Sequence, residues 1–233
     1  GIVPALEAIA AKMERENGVH IPDPRHQIII TPGGKWGLYL ALTAVLNPGD
    51  EVLILEPNWV SYKPMVTLAG GIPVSVSLPS NDNFRITAAQ LREKITPRTK
   101  ALMVNTPCNP TGRVLTQAEH DDIVAVAMEA DLYVISDEIY EKLIFDGRSH
   151  RSLAAAPGMA ERTLTVNGLT KSYAMTGWRL GWLIGPAPII KLATRMNSQT
   201  VSCAANFSMH ACIAALNGPQ DVIAEMRDAY QAR

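Results

Sequence analysis

The segment Gly168 to Gly181, GLTKSYAMTGWRLG, sets Lys171 eight residues before Arg179 in a stretch with no other charge. Its apolar and hydroxyl-bearing neighbours predict a partly desolvated Lys171, which disfavours the ammonium form and leaves an amine able to attack an aldehyde. An aldehyde cofactor that carries a phosphate needs a cation beside it, and a guanidinium binds phosphate oxygens bidentately. For such a pair taken alone, a strand end and turn with two solvated cations is the plain alternative.

Other residues could complete the same chemistry. Gly33, Gly34 and Lys35 follow an apolar run and open a helix, where bare amides and the helix dipole favour a phosphate. Their spacing is neither G-x-x-x-x-G-K-[ST] nor G-x-G-x-x-G, so an ordinary glycine turn stays open. Trp59 in EPNWVSY could form a wall against a flat ring or belong to the core. Asn109 in NTPCNPTG precedes a proline, which keeps it out of a helix and in a rigid turn, either as plain turn or as ligand contact. Asp137 in ISDEIYEKL ends an apolar run, with Tyr140 three residues on. That carboxylate could keep a pyridine nitrogen protonated, or could cap a helix with Glu138 in its first turn.

The elements that must position these residues alternate along the chain. Short β-rich runs bounded by turn residues fall at Gln27 to Thr31, Glu51 to Leu55, Pro73 to Leu78, Ala101 to Asn105, Leu132 to Ser136, Thr163 to Asn167 and Leu180 to Ile184. Helical spacing covers Val3 to Asn17 and Lys35 to Leu46, and Thr116 with Glu119 predicts a capping box for a helix through about Ala130. Several runs are apolar almost throughout, as strands buried on both faces should be. The expected fold is therefore α/β, three layers with a mainly parallel seven-stranded sheet flanked by helices. Ligands on such sheets bind beyond the carboxyl ends of strands, where the candidate residues lie.

Composition narrows the function. With 233 residues, 47% hydrophobic and 18% charged, the chain can bury a large core. A net charge of -1 with interspersed signs offers no basic stripe for nucleic acid and no polybasic segment for a membrane. Cys108, Cys203 and Cys212 are odd in number and lack C-x-x-C spacing, which argues against a disulfide framework or a metal site and for a reducing cytoplasm. No apolar run reaches membrane-spanning length, and the opening GIVPALEAIAAKMERENG lacks the regions of a signal peptide. The start at Gly1 and the helix-like close DVIAEMRDAYQAR predict a fragment: a large domain over 1–217, then at 218–233 the start of a helix leading onward.

Together these motifs resemble the class I and II aminotransferases, fold type I of the pyridoxal-phosphate enzymes, over essentially all of the chain. The resemblance implies that Lys171 carries pyridoxal 5'-phosphate as a Schiff base and that Arg179 holds its phosphate, with the amides around Gly33, Gly34 and Lys35 completing the cup. It assigns Asn109 and Tyr140 to the phenolic oxygen, Asp137 to the pyridine nitrogen and Trp59 to ring stacking, with Lys171, Asp137 and Tyr140 as the catalytic set. Lys35, Trp59 and Asn109 are also expected to meet substrate, and a lysine at position 35 leans toward acidic amino acids such as aspartate, with 2-oxoglutarate as acceptor. Relatives that act on aromatic or basic amino acids carry similar segments. Gly168 lacks the hydroxyl that many relatives offer the phosphate, and Tyr62 stands where some have a histidine behind the ring-nitrogen acid. The family also implies a homodimer, with an N-terminal arm and a C-terminal small domain carrying the α-carboxylate arginine, both outside these residues. A lyase of the same fold, or a sensing domain behind a DNA reader, shares these motifs. Acceptor-dependent formation of amino acid separates the first, and the residues upstream of Gly1 the second.

Overall fold

The computed structural model describes residues 1–233. Seven strands, β1 (Ile28–Thr31), β2 (Glu51–Glu56), β3 (Ile72–Ser77), β4 (Thr99–Asn105), β5 (Tyr133–Asp137), β6 (Thr163–Gly168) and β7 (Gly181–Ile184), form one sheet in the order β1-β7-β6-β5-β4-β2-β3. All seven coincide with the β-rich runs within a residue or two. The α-helices are α1 (Val3–Lys12), α2 (Pro24–Gln27), α3 (Gly34–Val45), α4 (Tyr62–Leu68), α5 (Ala88–Lys94), α6 (Gln117–Glu129), α7 (Ala187–Thr200), α8 (Asn206–Asn217) and α9 (Asp221–Ala232). The first continues in a wider turn through Asn17, and Gly18, at φ 66, ends it in the left-handed conformation that glycine adopts without strain.

The strands are apolar on both faces because both faces are covered. Val52 and Ile54 of β2 pack with Leu38 and Leu42 of α3, Val66 of α4 and Ile190 of α7. Leu53 and Leu55, the alternate residues, pack on the opposite side with Leu91 of α5 and Ile123 and Val126 of α6. On that same side, Ile28, Ile30 and Trp182 meet Leu6 and Ile9 of α1 and Met209 and Leu216 of α8. The three layers are thus helices, sheet, helices, as the strand pattern predicts. The capping box of Thr116 and Glu119 opens α6 as expected, and Thr87 with Gln90 forms a second one at α5.

One strand runs against the rest. β2 pairs in parallel with β3 and β4, β4 with β5, and β5 with β6, whereas β7 is antiparallel to both β6 and β1. The carboxyl ends of β1, β2, β4, β5 and β6 therefore share an edge with the amino end of β7. That reversal brings the residues before Gly181 to the edge where the strands deliver their polar ends.

Candidate active site

That edge holds every residue singled out by the sequence. A cleft of ≈ 270 Å³ is walled by Gly34, Lys35, Trp59, Asn109, Asp137, Tyr140, Lys171 and Arg179 together with Tyr62, Asn105, Thr170 and Thr176. Gly33 stands directly behind Arg179.

Asp137 is the last residue of β5 and is 5% exposed. Its Oδ2 accepts a hydrogen bond from the Tyr62 hydroxyl at 2.8 Å, and its Oδ1 one from the Ile139 amide at 3.3 Å. Burial raises its pKa to about 6, against the lowering effect of those two bonds, and the neighbouring Glu138 charge adds to the rise. No helix follows Asp137, so the alternative of a helix cap with Glu138 in the first turn is corrected: the chain turns irregularly through Lys142, because the Glu138 amide donates to Val166 of β6. Burial, then the Asp137 charge, pushes Tyr62 well above the usual phenol range.

The peptide after Asp137 is clamped from the next strand. Its carbonyl accepts from the Asn105 side chain at 2.9 Å and from the Thr106 amide at 3.1 Å, while Asn105 Oδ1 accepts from the Asn109 amide at 2.7 Å. Asn105 thus ties the turn carrying Asn109 to the strand end carrying Asp137. Burial, then the Asp137 charge, raises the pKa of Tyr140, with the neighbouring Asn109 side chain acting the other way. Lys171, half-buried just beyond β6, holds its Nζ 5.7 Å from the centre of the Tyr140 ring. The partial burial expected for Lys171 is observed.

At the other end of the cleft the backbone is built for close approach. Gly33 has φ 96, and a Cβ there would lie 2.7 Å from Arg179 Nη2. A Cβ at Gly181 would lie 2.7 Å from the Gly34 amide nitrogen, and one at Gly168 would lie 2.7 Å from the Gly181 Cα. Only glycines let these three chain segments touch. Arg179 has φ 50, an uncommon left-handed conformation for a residue with a side chain, and donates to Thr176 O at 3.1 Å and Pro32 O at 3.4 Å. The guanidinium is held beside the first turn of α3, whose amides lack helical partners. Trp59 lies edge-on to Tyr62, ring centres 5.6 Å apart, and Lys35 Nζ stands 4.7 Å from the Trp59 ring centre.

This arrangement fits a flat, phosphorylated heteroaromatic aldehyde. The cradle at Gly33, which a side chain would fill, lies between the amides of α3 and an arginine. A buried carboxylate and an amine with no ion-pair partner line the same cleft.

Sequence reasoning missed a buried network behind this wall. Glu138, 0% exposed, accepts from Ser136 Oγ at 2.9 Å, Ser152 Oγ at 2.8 Å and His150 Nε2 at 2.9 Å. Burial would push Glu138 up, but the His150 charge and these hydrogen bonds hold it low; burial would pull His150 down, but Glu138 holds it high. Glu141 lies near this pair, ion-paired to Lys12, which is 1% exposed. Glu138, Glu141 and His150 could geometrically surround a metal ion, but Lys12 and the hydroxyls already satisfy the carboxylates. Little local marks these residues, because apart from Ser136 their partners lie twelve or more positions away in sequence.

The sequence and the fold are those of one family. The chain belongs to the class I and II aminotransferases, whose profile matches residues 1–233. This family uses pyridoxal phosphate. The chain is 44% identical to the aspartate aminotransferase of Bacillus sp. strain YM-2 over 100% of its own length and 59% of that protein's. It is also 44% identical to the aspartate/prephenate aminotransferase of Cereibacter sphaeroides, covering 58% of it. The crystal structure of the aromatic aminotransferase from Pyrococcus horikoshii superimposes with a TM-score of 0.97 at 41% identity, covering all of this chain and 62% of that one.

Proposed function

We propose that this chain is the cofactor-binding body of a pyridoxal-phosphate-dependent aminotransferase that exchanges amino groups between an amino acid and a 2-oxo acid. The observation that carries the reading is the placement of Lys171, Arg179 and a buried, hydrogen-bonded Asp137 around one cleft. The bound cofactor would supply an aldehyde for the substrate amine and a ring that withdraws electrons from the substrate's α-carbon. Lys171 would hold the aldehyde of the cofactor, and its amine would act as the general base that moves the proton of the substrate's α-carbon. Asp137 keeps the ring nitrogen protonated, and Tyr62 orients it. Asn109 and Tyr140 would hold the phenolic oxygen, Trp59 would cover the ring, and Arg179 with the amides at Gly33 to Lys35 would bind the phosphate.

The substrate reading leans to acidic amino acids. Lys35 is exposed at the cleft, its ammonium 4.7 Å from the Trp59 ring centre, and offers a cation with which a substrate's distal carboxylate could pair. The aspartate and aspartate/prephenate aminotransferase relatives support it.

The remaining assignments concern the whole protein. We read residues 1–217 as the cofactor-binding domain; α9, beyond them, buries only Ile223 and lies beside Glu141, His150 and, at Tyr230, the Pro107–Pro110 turn. A homodimer is supported by the exposed apolar pair Trp178 and Phe207, 45% and 68% accessible, next to Arg179. No helix is long and apolar enough to cross a membrane, and the three free cysteines suit a reducing cytoplasm.

Borohydride reduction of the pyridoxal-phosphate-loaded full-length protein, followed by peptide mass mapping, tests the central claim. A single pyridoxyl adduct on Lys171 is expected. Its absence, or an adduct on another lysine, overturns the assignment.

A further inference from the structure

Asn105 ends β4 beside Asp137, the last residue of β5 and its paired neighbour in the parallel sheet. Its half-buried side chain lines the cleft. Both ends of the carboxamide are used: Nδ2 donates to the Asp137 carbonyl at 2.9 Å, and Oδ1 accepts from the Asn109 amide at 2.7 Å. A backbone carbonyl can only accept and a backbone amide can only donate, so the two bonds together demand one donor and one acceptor at this reach. Aspartate would set an oxygen against the Asp137 carbonyl, and leucine would offer neither group.

The turn that carries Asn109 depends on this link. The turn closes on itself through the Cys108 amide, which donates to the Arg113 carbonyl at 2.8 Å, and the Gly112 amide, which donates to the Cys108 carbonyl at 2.7 Å. Asn109 takes no part in that closure, and the partner of its amide is Asn105 Oδ1. The Asp137 carboxylate is held separately, by the Tyr62 hydroxyl and the Ile139 amide. Loss of the Asn105 carboxamide therefore releases Asn109 while the acid keeps both of its donors.

We propose that Asn105 is a positioning residue that acts through Asn109: by fixing the Asn109 backbone it aims that side chain at the phenolic oxygen of the bound cofactor. The proposal rests on the pyridoxal-phosphate reading above. The test titrates two aldehydes by absorbance, pyridoxal phosphate and its 3-deoxy analogue, which lacks the phenolic oxygen. The cofactor-free full-length protein is compared with its Asn105→Leu, Asn109→Ala and doubly substituted variants. A lost hydrogen bond to a charged oxygen is expected to weaken pyridoxal phosphate by about tenfold or more in Asn109→Ala, and a misaimed one by about three- to tenfold in Asn105→Leu. The double variant binds no more weakly than Asn109→Ala, and the 3-deoxy analogue binds all four proteins equally. Losses that multiply in the double variant overturn the proposal, because Asn105 then acts by another route. Equal loss for both aldehydes in Asn105→Leu overturns it as well, since the carboxamide then serves only the fold, and so does unchanged binding of pyridoxal phosphate. If leucine impairs folding, as thermal melting of the cofactor-free protein would reveal, Asn105→Ala takes its place in the same comparison. An Asn109→Ala variant that treats the two aldehydes alike refutes the assignment of Asn109 and the proposal with it. A wild-type protein that binds neither aldehyde refutes the cofactor reading itself, a result distinct from any failure confined to the variants.

Discussion

Asp137→Asn is expected to stabilise the cofactor-free protein while abolishing transamination, and the pH dependence of the gain is its signature. The carboxyl's ordinary pKa of 3.8 is raised to about 6 in the folded chain, with burial as the main cause. The folded state therefore holds the proton more tightly than the unfolded one. Any stability from the protonated carboxyl is fully present below pH 3.8 and is lost as pH rises through about 6. A shift of roughly two units at about 1.4 kcal/mol each makes the buried carboxylate cost about 3 kcal/mol above pH 6. Asparagine keeps the shape and an acceptor for the Tyr62 hydroxyl without the charge. Urea denaturation of the cofactor-free protein should show the variant more stable by up to about 3 kcal/mol at pH 8 and the gain absent at pH 3.5. Transamination should fall by orders of magnitude, because a neutral amide cannot keep the ring nitrogen protonated. A gain of the same size at both pH values would refute the electrostatic reasoning, and so would a variant less stable than wild type at pH 8. Near-normal turnover would refute the catalytic role.

Lys35→Ala should lower kcat/KM for aspartate by about tenfold, the low end for a charge-assisted contact because Lys35 is exposed, and leave alanine nearly unchanged. Equal loss with both substrates would remove the acidic-substrate reading. His150→Ala strips Glu138 of its buried cation and should cost about 3–5 kcal/mol near neutral pH in a denaturant titration. Glu138 is held below 4.5 and His150 above 6.5, so the pair's contribution fades as pH falls through the first or rises through the second. The penalty should therefore peak between pH 4.5 and 6.5, and a penalty independent of pH would show that packing alone carries it.

The candidate site was largely legible because its motifs are local. Asn109 before Pro110, Asp137 at the end of an apolar run and Lys171 eight residues before Arg179 each lie within a few positions of the signal that marks them. Less visible was what holds them. Asn105 reads as an ordinary strand residue, yet it fastens Asp137 to the turn of Asn109. Helices α7 and α8 follow the last strand without a side-chain cap hydrogen bond, and their register comes from packing on the sheet and on α3 and α1. The Thr87–Gln90 capping box was a local signal that could have located α5.

By itself, the sequence determined the alternation of strands and helices, the burial of the sheet on both faces and the chemical types at the strand ends. These follow from the spacing of apolar residues and from glycine and proline, which act over a few positions. Only the tertiary structure decided that β7 runs backwards and so lifts Arg179 to the same edge as Lys171, because strand direction depends on pairing partners far apart in the chain. It alone decided that Tyr62 reaches Asp137 across 75 positions and that Glu138 finds His150 and two serines in the interior. A buried charge must collect its partners from wherever the fold supplies them, and no local pattern records where that will be.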